Sequence, residues 1–336
     1  MTREASTQVE RVFPQAGRNH QHRHVLTVVQ RAGRAVFLPL VSALVLAACQ
    51  SGTPTAIATS PRATPSASGS SGIPGFDHIA VIVMENHGYQ DVIDTPATPY
   101  LSRLAHQNGL ATQYYAVGHP SLGQYLALTT GGEHGNPQGC DPAVCPVAAA
   151  NLADRVERSG REWRAYMESM GSPCRLTSGD GYDVHHNPWI YLNDIRTHGT
   201  RCATHVLDLS QLGPDLASTT STPGLLWITP NDCHDMHSCS PAAGDAWLSQ
   251  EVPMILGSPA FTQQNSLLVV MWDEDDFTPA NHVAAILVAP KAIRPGAVSA
   301  QHYTHYSLLR TIEAAWGLAP LTDNDGGASP MSDLFR

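Results

Sequence analysis

Apolar residues in this chain fall into short continuous runs rather than long alternating stripes. Residues 78–84 (HIAVIVM), 224–229 (GLLWIT), 266–272 (SLLVVMW) and 282–289 (HVAAILVA) are rich in β-branched and bulky side chains. Runs of this length fit strands buried on both faces of a parallel sheet. Helical patterns lie between or after them, over 98–108, 125–130, 148–159, 244–251 and 306–316. No internal repeat is evident. Strands alternating with helices predict a mostly parallel, three-layer α/β/α domain.

Three of these runs end in polar, acidic segments. The first ends in Glu85-Asn86, the second in Pro230-Asn-Asp-Cys-His-Asp-Met-His237, the third in Asp273-Glu-Asp-Asp276. Parallel strands would place these groups on one sheet edge, outside the carboxyl ends where open α/β sheets bind ligands. Carboxylates gathered there repel one another and are costly to bury unpaired, and a bound cation resolves both problems. Any one cluster alone reads better as loop acids or helix caps; three together favour the cation. Asp275 and Asp276 are expected to stay outside the ligand set. Ser121, in Gly118-His-Pro-Ser-Leu-Gly-Gln124, sits where a Gly/Pro turn meets an apolar run. That places it at or near a helix start, which favours a phosphate. Ser121 with Gln124 also fits a plain S-x-x-Q capping box.

Charge and composition narrow the class. Charged residues are 14 % of the 336 positions, against about 25 % in typical soluble domains. Residues 1–49 hold six Arg and two Glu, so the remainder carries 13 basic and 27 acidic side chains. Such an acidic remainder disfavours a nucleic-acid binder, whose affinity rests on Lys and Arg at phosphates. No apolar run reaches the length of a membrane-spanning helix. Arg31 and Arg34 precede an apolar stretch over 35–48 that suits a signal-peptide core. Its ending, Leu46-Ala-Ala-Cys49, resembles a bacterial lipobox with Cys49 as the lipidated residue. The expected organisation is a lipoprotein signal peptide (1–48), a disordered Ser/Thr/Pro/Gly tether (49–72) and a catalytic domain (73–336). A secreted form with an ordinary signal is the alternative. The polar 1–24 stretch is long for such a signal, which moves the expected translation start to 25–29.

Without Cys49, six cysteines remain: Cys140, Cys145, Cys174, Cys202, Cys233 and Cys239. An even number in an exported chain suggests disulfides, and neighbour pairing is the simplest of the fifteen complete pairings. No C-x-x-C pair supports zinc. Trp163, Trp189, Trp247 and Trp316 sit in apolar patterns and are expected in the core.

Seven segments in order carry a resemblance: HIAVIVMENH, GHPSLGQYLALTTG, HHNPWIYLNDI, ITPNDCHDMH, GDAWL, NSLLVVMWDEDD and HYSLLRTIEAAWGL. The chain resembles the bacterial phosphoesterase family of acid phosphatases and phospholipases C, within the alkaline-phosphatase-like superfamily. It is most similar to short secreted acid phosphatases described as phosphatidylinositol-3-phosphatases. The resemblance implies Glu85, Asn86, Asp273 and Glu274 as metal ligands, with Ser121 as the metal-bound nucleophile. It implies His186, His237 and His305 as contacts to phosphate or leaving group, and puts Asn231 and Asp235 in the same motif. His234 and His282 are nearby alternatives, and His185 is expected to be structural. Where the family usually has Pro-Asn, this chain has Gly123-Gln124, so the amide expected to touch phosphoryl oxygens sits on a longer arm. The ligand set is all oxygen, which favours Mg²⁺, Ca²⁺ or Mn²⁺ over zinc. The implied activity is metal-dependent hydrolysis of phosphate monoesters through a phosphoserine, phosphoinositides among the candidate substrates. The enzyme would be lipid-anchored on the outer face of a bacterial membrane. A phospholipase C-type phosphodiesterase and a non-catalytic phosphate- or cation-binding lipoprotein are the rival readings.

Overall fold

The apolar run His78–Met84 forms strand β1, buried along its whole length at the middle of the sheet. The structure is a computed structural model that describes residues 72–135 and 139–336. The expected signal peptide, Cys49 and nearly all of the tether lie outside the described residues. The other strands are β2 (Gly109–Tyr115), β3 (Trp163–Met167), β4 (Val206–Asp208), β5 (Leu225–Thr229), β6 (Ser266–Trp272), β7 (His282–Val288), β8 (Ala297–Ser299) and β9 (Tyr303–Thr304). They join in the order β4-β3-β5-β1-β6-β7-β2-β8, with β9 pairing beside β2. Helices flank this mixed, mostly parallel sheet in a three-layer α/β/α arrangement.

β5, β1 and β6 are mutually parallel, so their carboxyl ends share one edge. β7 departs from the reading of 282–289 as one more parallel strand: it is antiparallel to both neighbours. The physical reason is the short link 273–281, which has no room for the dozen or more residues of a parallel crossover. β2 and β3 escape the apolar-run criterion because each carries partly exposed polar residues, such as Thr112, Gln113 and Arg164. The helix expected at 125–130 starts earlier, at Ser121, and all ten residues of Ser121–Thr130 are buried.

Trp163, Trp189, Trp227 and Trp272 are fully buried, and Trp247 and Trp316 are buried as well. Three disulfides join Cys140–Cys145, Cys174–Cys202 and Cys233–Cys239, the neighbour pairing. The third closes the loop after β5 that carries Asp235 and His237.

Candidate active site

Register alone brings two acids side by side. Met84 on β1 is paired with Trp272 on β6, so the next residues, Glu85 and Asp273, leave the sheet together. The Asp273 N–H donates to the Met84 carbonyl at 3.0 Å, and the Glu85 N–H to the Asp235 carbonyl at 2.9 Å. Asn86 takes a positive φ of 48° at this strand end, a conformation Asn tolerates better than most residues.

Ser121 enters the same space from the start of its helix. Its Oγ lies 3.0 Å from both Glu85 Oε2 and Glu274 Oε1 and donates its one proton to either. The capping box does not form. Pro120 is the cap residue, and the Gln124 amide oxygen instead accepts the N–H groups of Val117 and Gly118 at 3.0 Å each. Gln124 therefore holds the turn before Ser121 through its amide oxygen, while its amide nitrogen lies 3.3 Å from Glu133 Oε1.

Three carboxylates are buried here with few donors. Glu85 Oε1 and Asp273 Oδ2 have no hydrogen-bond partner among the described residues. Burial, with Asp235 and Glu274 close by, pushes the Glu85 carboxyl up to about 8 against the pull of His186. Burial and then Glu85 and Glu274 hold Asp273 well above the usual carboxylate range. Burial raises Glu274 too, with His119 and Ser121 opposing. One end of the Asn86 carboxamide lies 3.1 Å from Glu274 Oε1 and 3.3 Å from Glu85 Oε2. Nitrogen inward, it donates to both; oxygen inward, it adds a further oxygen to the cluster. Converging oxygens with unsatisfied lone pairs are a fitting cage for a divalent cation. A second possible group shares Glu85: one ligand atom each from Glu85, His186 and Asp235 lies within 4.8 Å of the others.

His186 is buried between two acids, with Nε2 3.6 Å from Glu85 Oε1 and Nδ1 3.2 Å from Asp235 Oδ2. Burial disfavours its imidazolium, but Glu85 and Asp235 outweigh that and raise it to about 10. A cavity of about 150 Å³ opens over Ser121, lined by Asp183, His185, His186 and His237 among others. His305 is not among them. Its Nε2 is 2.5 Å from the Asp273 carbonyl and its Nδ1 3.1 Å from the Tyr114 hydroxyl. Burial pulls it down to about 4, and both ring nitrogens face groups of the protein itself.

Asn231 and His282 bond to groups of the protein itself. Asn231 Oδ1 accepts the N–H groups of Cys233 and His234, and its amide donates to Ser169. His282 bonds to the Thr112 carbonyl at 3.0 Å and stacks between Tyr89 and Tyr115. His234 faces Glu168 at 2.9 Å. Asp275 is buried and accepts from the Thr278 N–H at 2.8 Å, while Asp276 is exposed.

Two residues at the site lie outside the expected set. His119 Nδ1 is 2.7 Å from Glu274 Oε2, holding the oxygen that Ser121 leaves free; within the GHPS turn, Gly and Pro are the louder signals. His185, expected to be structural, lines the cavity with Nδ1 2.7 Å from Asp183 Oδ1. The His185-His186 doublet is the sequence signal that could find it.

The chain matches the Phosphoesterase family over residues 92–319. It is 30% identical to a phosphatidylinositol-3-phosphatase of Mycobacterium tuberculosis, over 79% of this chain and 85% of that one. It is 28% identical to a phosphate-repressible acid phosphatase of Penicillium chrysogenum, over 76% of this chain but 62% of the fungal one. Among solved structures, a lipoteichoic acid synthase of Listeria monocytogenes shares the fold with a TM-score of 0.53 and 10% identity, over 79% of this chain and 77% of that one. An alkaline phosphatase superfamily protein of Vibrio parahaemolyticus aligns with a TM-score of 0.51 and 12% identity, over 74% and 68%.

Proposed function

The chain belongs to the phosphoesterase family, a phosphoric monoester hydrolase among relatives named phosphatases, and on that premise we propose that Ser121 is its nucleophile. One observation carries this reading: a hydroxyl at a helix start, shared between two buried carboxylates, faces a cavity lined by three histidines.

Glu85, Asn86, Asp273 and Glu274, with Ser121, are the residues that would hold a divalent cation. Such an ion, when bound, lowers the pKa of the hydroxyl and neutralises charge on phosphoryl oxygens. The chain's own groups do the rest. The phosphoryl group enters the cavity, where the start of the Ser121–Thr130 helix and the histidines face its oxygens. Ser121 Oγ forms the new bond to phosphorus as the bond to the leaving oxygen breaks, and its proton passes to Glu85 or Glu274. A cavity histidine, His237 or His185, gives the leaving oxygen a proton. Water then bonds to phosphorus as the Ser121 Oγ–phosphorus bond breaks; the histidine regains its proton from the water, the carboxyl returns the serine proton to Oγ, and inorganic phosphate leaves. His186, held between Glu85 and Asp235, faces the transferring oxygens from the cavity wall. The resemblance to a named phosphatidylinositol-3-phosphatase puts phosphoinositides among the candidate monoesters.

The test is phosphate release from p-nitrophenyl phosphate, with and without EDTA, beside Ser121→Ala. Release that EDTA abolishes, absent from the variant, supports the proposal. Cleavage of bis-p-nitrophenyl phosphate or phosphatidylcholine alone would point to a diesterase instead. Metal binding without turnover of any of them would point to a binding protein.

We also place the enzyme outside the cytoplasm, held by a lipid on Cys49. No helix among the described residues is long and apolar enough to cross a membrane. Palmitate incorporation that disappears in Cys49→Ala would support the anchor; unchanged labelling, or none in the wild type, would refute it.

A further inference from the structure

The turn that presents Ser121 and the loop that presents Asp273 and Glu274 are far apart in the chain, and one side chain ties them together. Asn281 is 6% exposed and sits just before β7. Its Nδ2 donates to the Gly118 carbonyl at 2.7 Å, three residues before Ser121. Its Oδ1 accepts the N–H of Asp275 at 2.9 Å, one residue after Glu274. Its own backbone carbonyl accepts from the Ala116 N–H at 2.9 Å. We propose that Asn281 is a positioning residue that sets the separation between Ser121 and the acids it bonds to, an inference that rests on reading Ser121 as the nucleophile.

The chemistry is particular to a carboxamide. One end donates and the other accepts, over a distance fixed by covalent geometry; a carboxylate has no donor and an aliphatic chain has neither. The opposite side of Gly118 is held as well, its N–H bonded to Gln124 Oε1. Two side-chain amides thus grip one glycine, leaving the turn little freedom to carry Ser121 toward or away from Glu274. Asn281 also has a φ of 48°, which Asn, Asp and Gly accommodate most readily. That conformation suits the choice of test variants.

The full-length protein would be compared with Asn281→Gly and Asn281→Asp. The measurements are Mn²⁺ affinity by electron paramagnetic resonance, kcat and KM for p-nitrophenyl phosphate, and the thermal midpoint of the metal-free protein. Asn281→Gly keeps the backbone conformation and removes both bonds. It is expected to lower kcat and weaken Mn²⁺ binding, each by about 10- to 100-fold, the usual effect of losing a residue that orients metal ligands. Its KM is expected to stay close to wild type, and its metal-free midpoint to fall somewhat as the Asp275 N–H and the Gly118 carbonyl lose their partner, with the losses in kcat and Mn²⁺ binding persisting at temperatures well below that midpoint. Asn281→Asp keeps the acceptor for Asp275 but sets an oxygen against the Gly118 carbonyl. It is expected to lower kcat similarly, with a smaller loss of Mn²⁺ affinity than in Asn281→Gly because the Asp275 contact is kept. Wild-type kcat and Mn²⁺ affinity in both variants would overturn the proposal, as would losses that only track a fallen midpoint. Wild-type protein that binds Mn²⁺ but releases no phosphate would sink the functional reading, and unaltered Mn²⁺ binding in Asn281→Gly would then sink this one separately.

Discussion

Asp245 and Asp325 are buried much as the acids around Ser121 are, yet their surroundings are opposite in kind. Asp245 accepts the N–H groups of Tyr100 and Leu101 at 3.1 and 2.8 Å, capping the helix Pro99–Gln107. Asp325 accepts from the Leu321 and Thr322 N–H groups at 2.7 and 2.8 Å and from the Thr322 hydroxyl at 2.6 Å. At the ends of β1 and β6, Glu85 and Asp273 each leave an oxygen without a donor among the described residues and face other carboxylates. An acid buried to build the fold is matched by N–H and O–H groups. An acid buried to bind something is matched by a ligand that arrives later. Glu313 shows a third outcome. It is buried with Oε1 unpartnered among the described residues, and burial and Asp325 push its carboxyl up to about 8 against the nearby Arg310. Like Glu85, it is raised toward its neutral form, but it is not among the residues lining the cavity over Ser121.

Substitutions in the two regions should differ in sign as well as size. The largest effect is expected for Asp273→Asn: kcat for phosphate release falls on the order of 10⁴-fold, as for loss of a central catalytic group. Its metal-free thermal midpoint should nevertheless rise, because the one oxygen without a donor gives way to an amide nitrogen facing other carboxylates, while Oδ1 keeps the Glu274 N–H. A fallen midpoint with intact turnover would place Asp273 with Asp245. Asp245→Ala should do the reverse, costing about 1–3 kcal/mol in a denaturant titration by orphaning two N–H groups. The kcat of its folded fraction should be unchanged, and a large drop there would erase the contrast.

The smallest effect is a pH dependence. The Glu313 carboxyl lies at about 8 when folded against an ordinary value of 4.5. Between those values the folded chain holds a proton that the unfolded chain has released. The stability this group contributes is therefore full below about 4.5 and is lost as pH rises toward 8. Glu313→Gln should flatten the decline of the thermal midpoint between about pH 5 and 8. Identical slopes in the two proteins would show that Glu313 does not titrate in that window.

Much of the site is legible in the sequence because its signals are local. Buried parallel strands announce themselves as apolar runs, and the acids after them need only be on the same edge, so β1, β5 and β6 with Glu85 and Asp273 are foreseeable. β2 and β3 are not, since polar residues break their runs. His305 shows a different limit. A motif names the residue but not the direction of its ring, and this ring faces the Asp273 carbonyl from below. Gln124 is alike: its amide oxygen faces the turn at 117–118 and its nitrogen faces Glu133.

By itself the sequence determined the fold class, the family, and the supply of oxygen donors at strand ends, all properties of residue type and order. Only the tertiary structure decided which donors meet. The register of β1 against β6 sets Glu85 beside Asp273, and the turn held by Gln124 and Asn281 brings Ser121 within 3.0 Å of two carboxylates. The physical reason is range: propensity and patterning act over a few residues, whereas these hydrogen bonds close loops of 36 and 153 residues.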